Sequence, residues 1–206
     1  IRLKKLTREY QMRNRISADL HDEVSATLSS ISFFAQAIAS GRKPEQNEKF
    51  LSLILESSGD AKEKISDIVW AINPENDEWN SFFSRCRRFA SDVFESRNIA
   101  FTLRIDESYP GKIDMQLRQH LWMIFKEMIT NVARHSGASR AEVILHIKNG
   151  ELQLVVQDDG RGLSNPDASS GNGLRNIRQR ADKIRATAVL ETEPGRGTRW
   201  IVRVML

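Results

Sequence analysis

The sequence lacks the features that mark disulfide-stapled proteins and membrane-spanning chains. It has one cysteine, Cys86, in 206 residues, so no disulfide can form within the chain and a reducing compartment is indicated. No apolar run approaches the roughly 18 residues that can cross a bilayer. Hydrophobic residues make up 40% and charged residues 28% of the chain, which is typical of globular proteins. One large domain or two small ones are expected.

Most of the chain also lacks an excess of basic over acidic residues. Residues 1–15 hold six Lys or Arg and one Glu, so the remainder is nearly neutral although the net charge is +4. A nucleic-acid binder would spread basic charge over a docking face, so nucleic acid is not an expected partner. The basic end is either a solvated helix face or the cytoplasmic flank of an upstream membrane segment. The start at Ile1 favours the second, and we expect the cytoplasmic portion of a bacterial inner-membrane protein anchored upstream.

Glycine and proline are missing between Leu3 and Ala39, which predicts one long helix. Gly41 and Pro44 then stop it, and a second apolar-striped helix runs to Pro74. The apolar positions of the first helix recur at alternating spacings of three and four: Leu3, Leu6, Tyr10, Leu20, Val24, Ile31, Phe34 and Ile38. Two such narrow stripes are not buried by one hairpin, so residues 1–76 are predicted to dimerise into a four-helix bundle.

Residues 77–206 mix helices with strands and predict a second domain. Helices are expected over 79–98, 113–136 and from about 174, and strands over 99–105, 141–147, 151–158, 186–192 and 198–206. Lys148–Asn149–Gly150 is a hairpin turn signal. Helices segregated from a mostly antiparallel sheet indicate an α/β sandwich, so the fold class of the whole chain is α+β.

Three short segments carry polar residues or glycines where packing would not require them. Glu127 and Asn131 lie four apart on one face of a predicted helix and suit a hydrated Mg²⁺ next to phosphates. The segment DDGRG (158–162) leaves a strand with an Asp that can accept a hydrogen bond, beside glycines that admit a ligand to the backbone. The segment GNGL (171–174) opens a helix whose N–H groups can bind phosphate. Taken singly, each also fits a solvated face or an ordinary turn.

Taken in order, these segments resemble the nucleotide-binding elements of the GHKL ATPase superfamily. The resemblance rests on E-x-x-x-N-x-x-R-H, D-x-G-x-G, G-x-G-L and then PGRGT at 194–198, and it covers residues 79–206. The superfamily includes sensor histidine kinases, gyrase, heat-shock chaperone ATPases and mismatch-repair ATPases. The resemblance implies a GHKL-type α/β sandwich with ATP and Mg²⁺ as cofactors.

The resemblance also implies a role for each matching residue. Asp158 would hydrogen-bond the adenine amino group, with Thr198 beside it. Asn131 would coordinate Mg²⁺, and Glu127 would orient or polarise a metal-bound water. The other residues implied in nucleotide binding are Arg134, His135, Gly160, Gly162, Gly171, Gly173 and Leu174.

The segment RISADLHDEV resembles the phosphoacceptor box of sensor histidine kinases. It is most similar to the nitrate-sensor and desaturase-thermosensor branch, in which Asp directly follows the His, as Asp22 follows His21 here. Independently of the family, a seam through Leu20 and Val24 turns His21 away from the bundle centre. A neutral imidazole is a competent nucleophile, and an adjacent carboxylate can hold its other N–H. His21 is therefore the expected phosphoacceptor and Asp22 its catalytic partner.

One position departs from that branch. The fifth residue after the His is usually Gln, which positions water for removing phosphate from the partner regulator, but here it is Ala26. The resemblance thus implies a homodimeric kinase that passes phosphate to an Asp of a separate response regulator receiver domain, with phosphatase activity in doubt. Two alternatives remain: a nucleotide-switched binding module, and a structural hairpin with a degenerate ATPase domain.

Overall fold

The computed structural model describes residues 25, 27–41, 44–164 and 172–206. Contacts divide the chain into two compact units, residues 1–74 and 75–206, which are described separately. Within the described residues, none of the helices combines the length and the apolar character needed to cross a membrane.

The first unit is a pair of helices. Helix α1 covers 27–39, and a short 3₁₀ turn at Pro44–Gln46 leads into α2, Asn47–Ile72. The ring of Phe34 stacks on that of Phe50 with centroids 5.8 Å apart, which joins the two helices near their connection. Helix α2 ends because Pro74 disfavours helical backbone in the residue before it, and Asn73 is extended (φ −70°, ψ 121°). The predicted part of the first helix before residue 25 lies outside the described residues.

The described residues of the second unit form a five-stranded sheet and three α-helices. Its elements are α3 (Trp79–Ser96), β1 (Ala100–Ile105), α4 (Met115–Asn131), β2 (Arg140–Lys148), β3 (Glu151–Asp158), α5 (Asn172–Lys183), β4 (Thr187–Thr192) and β5 (Thr198–Met205). The strand order is β1-β2-β3-β5-β4, and only the β1–β2 pair is parallel. The predicted α+β class with a mostly antiparallel sheet is confirmed.

The core lies between one face of this sheet and the helices. Alternate residues of β2 are buried, as the two-residue period of a half-buried strand requires: Ala141, Val143, Leu145 and Ile147. Helix α4 presents the opposing surface with residues such as Leu121, Phe125 and Met128, all at most 1% exposed. Its N-terminus is capped by Asp114, whose Oδ1 accepts hydrogen bonds from the N–H groups of residues 116 and 117.

The end of α4 differs from the prediction of one continuous α-helix over 113–136. After Asn131 the chain makes a π-helical turn, Val132–Ser136, which ends at Gly137 in the left-handed conformation (φ 65°). The Ser136 hydroxyl donates to the Val132 carbonyl oxygen at 2.7 Å and accepts from the Ala138 N–H at 2.9 Å. These bonds provide hydrogen-bond partners for main-chain groups that the wider turn would otherwise leave unpaired.

An ion pair between a buried arginine and a partly exposed aspartate fixes the start of the second unit. Arg118 of α4 is fully buried, and its Nη1 donates to Asp77 Oδ1 at 2.7 Å. The same segment is held by main-chain bonds from Ile113 N–H to the Asp77 carbonyl at 2.8 Å and from Trp79 N–H to the Gly111 carbonyl at 3.2 Å. Residues 77–79 are thereby tied to the loop that precedes α4.

Asp77→Asn should destabilise the second unit by about 1.5–3 kcal/mol, because it removes the carboxylate charge that balances a guanidinium with no access to water. Chemical denaturation followed by tryptophan fluorescence measures the change. The matched control is Glu107→Gln, whose partner Arg87 lies 2.7 Å away in a pair that is about two-fifths exposed. That change should cost about 1 kcal/mol or less. Equal effects of the two substitutions would contradict the role given to the Arg118–Asp77 pair.

Candidate functional site

A cavity of about 450 Å³ in the second unit brings together most of the residues selected from the sequence. It lies among the end of α4, the ends of β3 and β5, the loop after β3 and the start of α5. Its lining includes Glu127, Asn131, His135, Asp158, Gly162, Gly173, Leu174 and Thr198. Residues from four separate stretches of the chain therefore meet at one place.

Helix α4 supplies one wall of the cavity. Glu127 and Asn131 are one turn apart, so both side chains lie on the same face of the helix. His135 also lines the cavity, although it lies in the π-helical turn. A π turn holds more residues than an α turn, so His135 stays closer to the Glu127–Asn131 face than a continuous α-helix would place it. Arg134 is exposed and lies outside the cavity lining.

Asp158 is the buried acid of the cavity. It ends β3, pairs with Thr198 in the β3–β5 register, and is only 6% exposed. Its Oδ1 accepts a hydrogen bond from the Gly160 N–H at 2.8 Å. Burial raises the pKa of this carboxyl above its ordinary 3.8, although the Gly160 bond acts in the opposite direction. A backbone hydrogen bond from Thr198 also acts to lower this pKa. The carboxylate lines the cavity, where it can accept a hydrogen bond from a ligand.

Glycines permit the close approach of main chain around the cavity. A Cβ on Gly160 would collide with the Ser136 carbonyl oxygen, and one on Gly173 would collide with the Glu127 carboxylate. Gly162 has φ +63° and would collide with the Glu193 carbonyl oxygen. At Gly160 and Gly162 the clash is with main chain, so these two positions exclude any other side chain, whereas at Gly173 the Glu127 side chain would have to move.

Asn131 has an unsatisfied polar atom at the cavity. Its Nδ2 is buried and makes no hydrogen bond to any described part of the chain. Leaving such a group unpaired costs free energy, so the amide is placed to meet a ligand. The described residues hold no cluster of three His, Cys, Asp or Glu side chains suited to a metal. A divalent ion beside Asn131 would thus take most of its oxygens from phosphate and water, as Mg²⁺ does.

Several cavity residues were not predicted from the sequence. Trp200 begins a run of three buried residues in β5, and its apolar surroundings indicate burial but not a ligand. The π turn and the main chain of the loop after β3 bring three more residues to the cavity: Ser136, Arg161 and Leu163. No local sequence pattern predicts their position there. Four positions of interest lie outside the described residues: His21, Asp22, Ala26 and Gly171.

Comparisons of the sequence with known families agree with this geometry. The profile of the family described as "Histidine kinase-, DNA gyrase B-, and HSP90-like ATPase" matches residues 116–206, which contain the whole cavity. A second profile, described as "Histidine kinase", matches residues 13–77. The chain contains the two domains of a histidine kinase catalytic core. Its second unit is accordingly a GHKL-type, ATP-binding domain.

Individual relatives cover nearly all of this kinase. Sensor histidine kinase LiaS of Bacillus subtilis is 29% identical over 93% of the chain, and sensor protein VraS of Staphylococcus aureus is 26% identical over 94%. The chain spans about half the length of these relatives, 53% and 55% respectively.

Solved structures share the fold of the kinase. The histidine kinase domain of the blue-light activated kinase EL346 from Erythrobacter litoralis superposes with a TM-score of 0.58 at 16% identity, over 94% of each chain. The Acinetobacter baumannii histidine kinase AdeS gives 0.58 at 16% identity, over 89% of this chain and 96% of its own. At such identities the likeness concerns the fold alone.

The raised pKa of Asp158 predicts how its contribution to stability changes with pH. Folding favours its protonated form, so the stabilisation is fully present below the ordinary pKa and is lost as pH rises through the folded one. The melting temperature of the wild type minus that of Asp158→Asn should therefore decrease as pH rises from about 3 to about 7.

Asp159→Asn provides a control of opposite sign. Hydrogen bonds from the Arg140 N–H and the Ser139 hydroxyl lower the pKa of Asp159, so its stabilisation is present above the ordinary pKa and is lost on acidification. The melting temperature of the wild type minus that of Asp159→Asn should therefore increase over the same pH range. Parallel trends for the two variants would contradict the environments described for these neighbouring carboxyl groups.

Proposed function

We propose that this chain is the catalytic core of an ATP-dependent protein histidine kinase of a two-component system. It phosphorylates His21 and passes the phosphoryl group to an Asp on a separate response regulator. The observation that carries the proposal is the single cavity that joins Asp158, Asn131 and Glu127, in a chain whose N-terminal part matches a histidine kinase profile.

The cavity fits a nucleoside triphosphate at its two chemically different ends. Asp158 and Thr198 form a buried acceptor site suited to the amino group of adenine. Asn131, Glu127 and the start of α5 form the opposite end, where an amide, a carboxylate and a helix N-terminus suit phosphates and a hydrated cation. Gly173 supports this assignment, since its close approach to Glu127 brings the helix start to the polar residues of α4.

Mg²⁺ fits the residues at this end of the cavity. Asn131 would hold it directly, and Glu127 would orient one of its waters. When bound, such an ion neutralises phosphate charge. The buried, unpartnered Nδ2 of Asn131 is a hydrogen-bond donor, so it suits a phosphate oxygen beside the ion, while Oδ1 of the same amide would be the ligand.

His21 and Asp22 would carry the chemistry of phosphoryl transfer. An imidazole nitrogen of His21 forms a bond to the γ-phosphorus while the bond from that phosphorus to the ADP oxygen breaks. Asp22 accepts a hydrogen bond from the other ring N–H, which selects the reactive tautomer and stabilises the positive charge that develops.

Exposed apolar side chains support homodimerisation through the helical hairpin. Phe33 is 66% exposed and Leu28 56% on α1, while Leu55 is 73% and Leu51 51% on α2. Apolar residues so exposed on both helices favour a further helical layer, which a second copy would supply. The basic residues within 1–15 support a position beside a membrane, with the kinase on its cytoplasmic side.

Incubation with γ-labelled ATP and Mg²⁺ should transfer label to the wild-type chain and not to His21→Ala. The label should be stable to base and labile to acid, as a phosphorus–nitrogen bond requires. Asp158→Asn should also lose labelling, because the adenine contact is weakened while His21 remains.

The outcomes separate this function from the alternatives. Equal labelling of wild type and His21→Ala would exclude His21 as acceptor. Nucleotide binding that depends on Asp158, without labelling of any chain, would favour a module switched by its nucleotide state. No binding at all would favour a structural hairpin with a degenerate ATPase domain.

Ala26 predicts weak phosphatase activity toward the phosphorylated regulator. A methyl group offers no donor or acceptor to position a water, whereas an amide does. The Ala26→Gln chain should therefore dephosphorylate purified phospho-regulator faster than the wild type, with autophosphorylation retained. Rapid dephosphorylation by the unaltered chain would overturn this assignment.

A further inference from the structure

Thr192, the last residue of β4, links three segments through one hydroxyl group. Its Oγ1 accepts a hydrogen bond from the Leu163 N–H at 2.9 Å and donates to the Gly197 carbonyl oxygen at 3.1 Å. It also lies 3.4 Å from the Thr198 Oγ1. A threonine hydroxyl has one hydrogen and two lone pairs, so these three partners use its full capacity.

All three partners belong to the cavity or pack directly against it. Leu163 and Thr198 both line the cavity. Gly197 has φ +80° and lies so close to the Asp158 carbonyl that a Cβ there would collide with it. Thr192 itself lies outside the cavity lining. Its hydroxyl therefore connects the loop after β3 to the start of β5, which pairs with the buried acid Asp158.

Main-chain bonds hold the neighbouring part of the same loop. The Arg161 N–H donates to the Ser136 carbonyl oxygen at 2.9 Å, and the Arg161 carbonyl accepts from the Gly195 N–H at 2.7 Å. These two bonds tie residue 161 to the π turn on one side and to the β4–β5 turn on the other. The bond from Leu163 to Thr192 differs because a side chain makes it, so substitution can remove it with the main chain intact.

We propose that Thr192 is a positioning residue for nucleotide binding, which acts by holding Leu163 and Thr198 at the spacing that the nucleotide requires. This inference rests on the proposed function. Without the hydroxyl, the segment at Leu163 would have to be ordered when the nucleotide binds. The free-energy cost of that ordering reduces the affinity for the nucleotide. Thr192 does not contact the reacting atoms, so the rate of phosphoryl transfer within the nucleotide-bound chain is unaffected.

The experiment compares three variants of the full chain. Thr192→Val keeps the shape and removes the hydroxyl, Thr192→Ser keeps the hydroxyl, and Thr187→Val is the control at an exposed position of the same strand. Calorimetry with Mg²⁺ and the β,γ-imido analogue of ATP measures the dissociation constant. Hydrogen exchange of the Leu163 amide measures the bond itself without any nucleotide. Thr192→Ala is a second removal of the hydroxyl if Thr192→Val does not fold.

Thr192→Val should weaken binding of the analogue about five- to tenfold, the loss of one hydrogen bond. The KM for ATP should rise in proportion, with kcat unchanged. The Leu163 amide should exchange faster in that variant. Thr192→Ser should resemble wild type in all three measurements, as should Thr187→Val. A structural role alone would lower the melting temperature without this split between KM and kcat.

Two results would overturn the inference and are distinguishable from failure of the proposed function. Faster exchange at Leu163 with an unchanged dissociation constant would show that the bond exists but does not serve binding. If Thr192→Ser and Thr192→Val weakened binding of the analogue equally, loss of the hydroxyl would not be the cause of the weaker binding. If the wild-type chain bound no analogue, the proposed function itself would fail, and the role of Thr192 with it.

Discussion

Close main-chain packing around Asp158 is the constraint on which the rest of the cavity depends. The β3–β5 register places this residue beside Thr198, and Gly197 comes within contact of its carbonyl oxygen. On the other side, Gly160 donates to its carboxylate and lies against Ser136 of the π turn. A side chain at either glycine would push these segments apart. The buried acid, the loop after β3 and the end of α4 therefore hold their positions together.

The same packing explains why the polar residues of α4 are available to a ligand. Met128 and Ile129 are almost fully buried, which commits one side of the helix to the core. Glu127 and Asn131 are left at the cavity, where the start of α5 meets them at a glycine. The π turn extends that face to His135, which a regular helix would rotate further away. A hydrophobic core on one side thus orients the polar site on the other.

Local patterns predicted much of this architecture, and long-range packing explains the rest. Asn149 and Gly150 adopt positive φ, as the predicted hairpin turn requires, and α2 ends just before Pro74. The spacing of Glu127 and Asn131 and the acid at Asp158 follow from short motifs, so these cavity residues could be identified without a structure. The π turn, the parallel edge strand and the burial of Arg118 could not, because each depends on contacts far apart in the chain. The same holds for Thr192, whose partner Leu163 is distant in sequence. No local sequence feature distinguishes it from other strand threonines.

The central claim is that the cavity around Asp158 supplies the phosphoryl group received by His21. Its most direct measurement is mass spectrometry, at neutral to alkaline pH, of the peptide containing residues 15–31 after incubation of the chain with Mg·ATP. The account predicts one phosphoryl group on His21 in the wild type and none on that peptide in Asp158→Asn. A phosphoryl group on another residue, or undiminished phosphorylation of His21 in the Asp158 variant, would contradict it.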